Sequence, residues 1–562
     1  MFKLSYSLNS ADLLPIEKVC DELAKFGYTG VELSFQRGQF DPLSISEERI
    51  RQIVDYFEHA SIKPVCISTA TTKFLSSVPH EPSLINVDSD DRDRRADLIA
   101  KGIILAEKIG VPLVSFQSGY VRDEHAQLSR SQVMEVLASE IRKLLKKIRG
   151  NVSLVLEPEP GMFIETLADA RELIAKVADT RFGLHMDIGH VFCSEENYVE
   201  TIRNAAKEAR YVHMADIREG FNLKYLTTAY DGINKLMEQG AVGDEATLYD
   251  VDDADFYLFV HGERRIAIGK EEDIRKAGLL NDGVEILFIE ENYLKNRETT
   301  DLRHEIPAYL DSVSGIDYER VLRAYNAVLA LRVGSSRQAP VITRTVCNTV
   351  KGKVHYHDLF GKGKIEYDKV IASLIAGGYD GYCTVELYNH ASMWREIAPR
   401  SAKYILSMIV GNFGWSPASF GHIDHRKVFA PYVRAADAQI GPEGGVAVLY
   451  DLRLSQPNTK AIATDALHTL EHCFLWLLPG LLPGFLGVGP MGCRTGLYIT
   501  TAYPLIRDTM EGAIIAALDR IQELDEVPYQ SDELCGMANT HDLSGAKAVA
   551  RSVSDSMLLA SH

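Results

Sequence analysis

The sequence has no CxxC pair; its eight cysteines lie far apart along the chain. That spacing argues against a disulfide framework and suits a reducing compartment. The opening stretch "MFKLSYSLNSADLLP" lacks a basic region followed by an apolar one, so no signal peptide is expected and the chain is expected to be cytoplasmic. Net positive charge is also missing. A formal charge of −18 repels phosphate backbones and anionic lipid, which excludes nucleic-acid or membrane-surface binding as the main function. One charge-free run, "CFLWLLPGLLPGFLGVGPMGC" from Cys473 to Cys493, approaches the length of a membrane span. Pro479, Pro483 and Pro490, with glycines between them, would break a spanning helix where lipid cannot satisfy the freed backbone groups. The run is therefore expected to be a buried, turn-rich apolar stretch.

What is present is ordinary globular material. Apolar residues make up 46% and charged residues 25% of a 562-residue chain, long enough for three or four domains of about 150 residues. In the first 400 or so residues, short apolar runs alternate with amphipathic helical patterns. The runs are "FKLSYS" (2–7), "GVELSF" (30–35), "KPVCIS" (63–68), "PLVSFQ" (112–117), "VSLVLE" (152–157), "FGLHMD" (182–187), "RYVHMA" (210–215) and, much later, "GYCTVEL" (381–387). Continuous apolar strands separated by helices predict a parallel sheet covered on both faces, and eight such units predict a closed (β/α)8 barrel. A local echo, "FGYTGVEL" (26–33) against "GGYDGYCTVEL" (377–387), precedes strands two and eight.

Polar residues mark the strand ends. Glu157 ends the fifth strand, Asp187 the sixth with His190 three residues on, His213 lies in the seventh, and Glu386 in the eighth. Catalytic groups of such barrels cluster at the C-terminal strand ends, and carboxylates with a histidine suit a divalent Mn, Mg, Co or Zn ion. The stretches "LVLEPEPGMFIET", "FGLHMDIGHVF", "YVHMADI", "FGKGKIEYDKVI" and "GGYDGYCTVEL" together resemble the xylose-isomerase-like barrels of the sugar isomerase/epimerase superfamily. The resemblance implies metal ligands Glu157, Asp187, His213 and Glu386, with His190 and His357 near the substrate. It also implies isomerisation or epimerisation of a small sugar through an enediolate. It covers 1–218 and 353–410; residues 219–352 interrupt it as an insertion, read as an α+β subdomain from "FYLFVHGERRIAIG" (256–269), "VEILFIEENYL" (284–294) and a helical pattern over 317–333.

A connector, 411–418, leads to a different region. "DALHTLEHCFLWLL" (465–478) predicts a helix on which His468 and His472, four apart, share a face with Glu471. This H-x-x-E-H pattern also occurs in inverted-zincin proteases, which need a downstream carboxylate and a peptide cleft. The blocks "IDHRKVFAPYVR", "YDLRLSQPN", "HTLEH", "GPMGCRTGLY" and "ELCGMANTHDLSGAKAVARSV" instead resemble, in order and across 419–562, the LuxS-type S-ribosylhomocysteine lyases. That resemblance implies an Fe(II) or Zn(II) site made by His468, His472 and Cys535, with a fourth position for water or substrate. It implies Cys493 and Glu471 as acid/base groups, and His425, Arg453 and Ser419 as substrate contacts. Arg494 is the expected cation beside the Cys493 thiolate. The products would be homocysteine and a pentose-derived dione, the autoinducer-2 precursor. The domain is expected to be α+β and to pair as a homodimer. Against the family pattern, the segment before "IDH" is one residue longer, Ser455 stands where cysteine is common, and 473–490 is short, with less of a strand before "PMGC".

Overall fold

The computed structural model describes residues 1–71, 74–76, 80–217 and 357–560, together with strands at 247–250, 256–261, 264–269 and 285–288. The chain forms two compact units: Leu4–Glu366 with Ala376–Ala398, and Met1–Lys3 with Tyr367–Ile375 and Pro399–His562.

The first unit is the expected closed barrel. Its strands are β1 (Lys3–Ser7), β2 (Gly30–Ser34), β3 (Lys63–Ser68), β4 (Leu113–Phe116), β5 (Ser153–Leu156), β6 (Phe182–Asp187), β7 (Ala209–Met214) and β12 (Tyr382–Val385). They are ordered β1-β12-β7-β6-β5-β4-β3-β2, and every pairing is parallel where registered. Every residue of β2 and β6 is buried, as expected for strands covered on both faces. The helices that precede the second unit's sheet are, in chain order, α1 (Ile16–Lys25), α2 (Glu47–His59), α3 (Ser89–Ile109), α4 (Arg130–Leu145), α5 (Leu167–Val177), α6 (Ile188–Ser194), α7 (Tyr198–Ala205), α8 (Tyr367–Ala376) and α9 (Trp394–Gly411), and several start where the sequence supplies caps. Ser46 accepts the Arg49 amide, and Ser129 with Gln132, and Thr166 with Asp169, form reciprocal capping boxes. Gly30 is required by close approach: a Cβ there would lie 2.6 Å from the Tyr382 ring.

The insertion is pinned at its stems. Asp216 and Asp358 pair as an antiparallel bridge, and the Asp216 carboxylate accepts the amides of Ile217 (2.9 Å), Gly361 (2.9 Å), Gly363 (2.9 Å) and Ile365 (3.2 Å). Within it, strands β8 (Thr247–Asp250), β9 (Phe256–His261), β10 (Arg264–Gly269) and β11 (Glu285–Phe288) form one sheet in the order β11-β10-β9-β8. The helix expected over 317–333 lies outside the described residues.

The second unit contains an antiparallel sheet, β13-β14-β16-β15, made of β13 (Tyr432–Ile440), β14 (Val446–Arg453), β15 (Phe485–Pro490) and β16 (Gly496–Thr501). Three of its helices matter below: α10 (Thr464–Leu477), α11 (Arg507–Glu523) and α12 (Leu543–Ala560). Their buried faces include Leu470, Phe474, Ile514, Leu518, Ala546 and Val553.

The apolar run behaves differently from expectation. It contains the end of α10 and the six-residue strand β15, which leads into "PMGC". Glycine and proline hid its pattern. β15 is an edge strand, where a terminal proline costs no ladder bond. Phe474, Leu478 and Leu482 are absorbed by the domain, whereas Trp476 (56%) and Leu486 (62%) remain exposed. Among the described residues no helix is long and apolar enough to cross a membrane.

Candidate functional site

In the barrel, the four strand-end residues converge. Donor atoms of Glu157, Asp187, His213 and Glu386 all lie within 4.8 Å of one another. Each residue has one polar atom tied to the protein and another facing the common point. Glu157 Oε2 accepts from Gln117 Nε2 (3.3 Å), Asp187 Oδ1 accepts the His190 amide (2.8 Å) as a helix N-cap, and Glu386 Oε1 accepts from Asn9 Nδ2 (2.6 Å). His213 Nε2 faces Glu32 Oε2 at 2.8 Å, with both side chains buried. The opposite atoms, Glu157 Oε1, Asp187 Oδ2 and His213 Nδ1, are buried without a hydrogen-bond partner. Buried polar atoms left unmatched in this way are costly unless something not yet counted satisfies them. His213 Nδ1 lies 3.4 Å from Glu157 Oε1, 3.8 Å from Asp187 Oδ2 and 3.2 Å from Glu386 Oε2. The residues present therefore fit a divalent cation.

The electrostatics agree. Burial, reinforced by Glu386 and Asp187 and opposed by His213, pushes the Glu157 carboxyl up to about 7. Burial would lower His213, yet Glu32 and Glu386 hold its imidazole well above the ordinary range. Three carboxylates this close cannot all stay charged without a positive partner.

His190 and His357 flank the cluster. His190 donates through Nδ1 to the Pro158 carbonyl (2.9 Å), and His357 donates through Nδ1 to the Glu386 carbonyl (2.9 Å). His357 Nε2 is 3.9 Å from Asp187 Oδ2. Four contributors were missed from sequence: Asn9, Glu32, Gln117 and His185, whose Nε2 is 3.8 Å from Glu157 Oε1. Glu32 did leave a signal. In the echo between strands two and eight, "GVEL" sets it against Glu386 of "TVEL".

In the second unit, donor atoms of His468, His472, Cys535 and His541 also lie within 4.8 Å of one another. His468 Nδ1 donates to the Thr540 carbonyl (2.9 Å) and His472 Nδ1 to the Pro528 carbonyl (2.8 Å). With Nδ1 committed to a carbonyl, Nε2 is the nitrogen each ring has available for a metal. His468 Nε2 stands 3.5 Å from Cys535 Sγ. Borderline and soft donors of this kind fit Zn or Fe rather than Mg or Ca. His541 was not anticipated.

Cys493 lies in the turn between β15 and β16, with an exposed thiol. Its Sγ is 3.0 Å from Thr495 Oγ1 and 3.6 Å from Arg453 Nη1. Arg453 is held in turn by Asp451 (2.9 Å) and Thr495 (2.6 Å). Burial raises the thiol's pKa, but Thr495 and Arg453 outweigh it and leave the pKa below the usual cysteine value. Arg494, expected to play that part, points elsewhere. Its φ is 56° and its guanidinium donates to Thr464 Oγ1 at 3.1 Å, at the start of α10. The cation beside Cys493 is Arg453.

The remaining residues are more loosely placed. Glu471 is half-buried on α10, and no hydrogen bond or ion pair engages its carboxylate among the described residues. His425 is exposed and likewise makes no hydrogen bond among them. Ser419 donates to the Ser416 carbonyl (2.9 Å) and borders a pocket of about 290 Å³ with Phe429, Tyr432 and Arg434. No hydrogen bond joins the Cys493 group to the His468 cluster among the described residues.

Fold and donors together define a parallel barrel with a carboxylate–imidazole centre and an α+β domain with an imidazole–thiol centre. A family model for S-ribosylhomocysteinase (LuxS) matches residues 418–561, and one for the xylose isomerase-like TIM barrel matches residues 20–240. The S-ribosylhomocysteine lyase of Oenococcus oeni is 41% identical over 136 residues, which is 24% of this chain and 87% of that protein. The S-ribosylhomocysteine lyase of Thermus thermophilus is 47% identical over 132 residues, 23% of this chain and 84% of that protein. A solved structure of the IOLI protein with a binding zinc atom is similar at 13% identity and a TM-score of 0.39, over 73% of this chain and 98% of that one. Through its C-terminal domain, this chain belongs to the LuxS family of S-ribosylhomocysteine lyases; its N-terminal half is a xylose isomerase-like barrel.

Proposed function

We propose that the chain is a bifunctional metalloenzyme. Its C-terminal part, 419–562, cleaves S-ribosylhomocysteine to homocysteine and a pentose-derived dione. Its barrel, 1–218 with 353–410, isomerises or epimerises a small sugar. The insertion 219–352 and the linker 411–418 complete the layout. The observation that carries the reading is the meeting of His468, His472 and Cys535 in a domain 41% and 47% identical to two named lyases.

A metal at either site, when bound, supplies Lewis acidity toward a substrate oxygen and so favours loss of a proton from the adjacent carbon. Fe(II) or Zn(II) suits the C-terminal donors, and Mn, Mg, Co or Zn the barrel donors. The chain's own residues do the rest. Once the ribose opens to its aldehyde, the carbonyl migrates from C1 to C2 and then to C3, each migration needing a proton taken from one carbon and returned to another. Cys493, whose thiolate Arg453 and Thr495 favour, and Glu471, whose carboxylate is uncommitted, are the proton carriers. Loss of homocysteine by β-elimination then needs one further proton abstraction beside the C3 carbonyl. Arg453 also contacts substrate, with His425, Ser419 and Arg494. In the barrel, His190 and His357 hold the sugar beside the cluster formed by Glu157, Asp187, His213 and Glu386.

The domain acts as a homodimer. Trp476 and Leu486, exposed in the single chain, are the apolar surface that pairing would cover. The deciding experiment incubates metal-replete protein with S-ribosylhomocysteine and titrates free thiol; absence of homocysteine release rejects the lyase reading. For the barrel, metal-dependent entry of solvent deuterium into a pentose, ketose or their phosphates is expected, and a screen without exchange rejects it.

A further inference from the structure

We infer that the barrel takes a sugar bearing a terminal anionic group, carboxylate or phosphate, and that Arg95 receives that group. The inference rests on the reading of the barrel as a sugar isomerase or epimerase and names the class of its substrate.

Three arginines lie close together on α3, and their partners run against their burial. Arg94, the most exposed, meets the Asp91 carboxylate at 2.9 Å. Arg92 reaches Glu140 at 3.4 Å, besides the carbonyls of Asn86 (2.6 Å) and Val87 (2.8 Å). Arg95 is only 4% exposed, yet no ion pair engages it among the described residues. Its guanidinium donates to the Thr71 hydroxyl (3.4 Å) and the Thr69 carbonyl (3.2 Å), both long contacts. Glu81, the carboxylate that acts on it from further off, is committed to Arg122 at 2.6 Å. Burial draws the Arg95 pKa down to about 10, so the group still carries its charge at neutral pH. A buried cation without an anionic partner is costly, and a carboxylate or phosphate is what the planar guanidinium fork fits best.

Position links Arg95 to the metal-ligand cluster. Thr69 and Thr71 follow β3, Gln117 follows β4 and Glu157 follows β5, so all stand at the same rim of the barrel. Adjacent strands lie about 4.8 Å apart, which puts Thr69 about 10 Å from Glu157, the reach of an acid-bearing sugar. Polar atoms between them are unmatched. Gln117 donates to Glu157 Oε2 (3.3 Å), while its buried Oε1 has no hydrogen-bond partner, and buried His80 Nδ1 has none either. His80 stands beside Gln117, with Arg95 and Arg122 near enough to act on its charge. It is held there at φ 59°, a backbone conformation that non-glycine residues rarely adopt. A sugar hydroxyl can donate or accept, and so would satisfy either atom. The rim thus offers, in order, a cation-binding cluster for the carbonyl end, Gln117 and His80 for hydroxyls, and Arg95 for the anion.

The test is equilibrium binding to the full-length protein loaded with Mn(II), which favours the carboxylate-rich barrel cluster over the thiol-containing one. Paramagnetic broadening of a probe's carbon or phosphorus NMR signals reports binding near that ion. The probes are matched tetrose, pentose and hexose series, each a neutral aldose, its aldonate and its terminal phosphate. In at least one series an anionic member should bind ~10-fold or more tightly than the neutral aldose, the factor a hydrogen bond between charged groups supplies. Preference for the aldonate assigns a carboxylate; preference for the terminal phosphate assigns a phosphate. Arg95→Met should bring anionic and neutral members to equal affinity. Arg95→Lys, which keeps the charge without the fork, should retain part of the preference. Equal affinities in wild type, or no binding by any probe, overturn the inference whether or not the variants fold. So does a preference that survives in Arg95→Met, because an arginine that only clamps α3 to β3 would weaken all probes alike. Deuterium exchange is not read in any of these measurements, so failure of the isomerase reading would leave their outcome standing.

Discussion

Replacing Glu32 with glutamine tests the barrel centre at a residue that does not itself face the cluster. Glu32 Oε2 receives His213 Nε2 at 2.8 Å, and Ser7 Oγ donates to Glu32 Oε1 at 2.6 Å, all of it buried. The carboxylate accepts from Nε2 and so turns Nδ1 toward Glu157, Asp187 and Glu386. A glutamine keeps the volume but cannot satisfy both neighbours as the carboxylate does. Turned one way it sets an N–H against the imidazole; turned the other it loses the hydroxyl's donated bond. A hydrogen bond to a charged group contributes roughly 1.5–3 kcal/mol and a neutral one about 1 kcal/mol, so the loss is about 1–2 kcal/mol. That corresponds to about a tenfold weaker metal affinity, at the low end of the ~10–100-fold seen for such outer partners. The assay is competition with a chromogenic chelator on the full chain, with the Cys535 site as internal reference. Barrel affinity equal to wild type, with the protein folded, would refute the argument that Glu32 orients His213.

Three further outcomes are expected. Glu471→Gln and Cys493→Ala should each retain metal while thiol release drops ~10²–10⁴-fold; a variant with near-normal turnover removes its residue from the mechanism. Arg453→Met should shift the pH profile of Cys493 alkylation to higher pH, because the guanidinium stabilises the thiolate and its removal lets the pKa rise; an unmoved profile means Thr495 alone sets it. Leu482→Asp should cost at least about 3 kcal/mol and unfold the domain, since Leu482 is 2% exposed within its own chain. Leu486→Asp should leave the fold intact and abolish the proposed dimer; wild type and variant sedimenting alike as monomers would reject the pairing.

The sequence alone determined those features of this protein that depend on local periodicity. Apolar runs alternating with helices specify a barrel, because a strand buried on both faces has no polar positions to spare. The i, i+4 spacing in "HTLEH" puts two imidazoles on one face of any helix it forms, and residues at strand ends fall at one rim of any closed barrel. Tertiary structure decided what depends on packing between distant segments. Whether Arg453 or Arg494 stands by Cys493 turns on a left-handed residue at 494 and on the pairing of β14 with β16. His541 comes to the cluster from a loop whose contacts with Thr469, some 72 positions earlier, no local spacing reveals. Glu32 lies 181 positions from His213, and only closure of the barrel brings them to 2.8 Å. A pattern of spacing fixes which face a side chain takes, but the partner on the facing element is set by the way the whole chain closes its core.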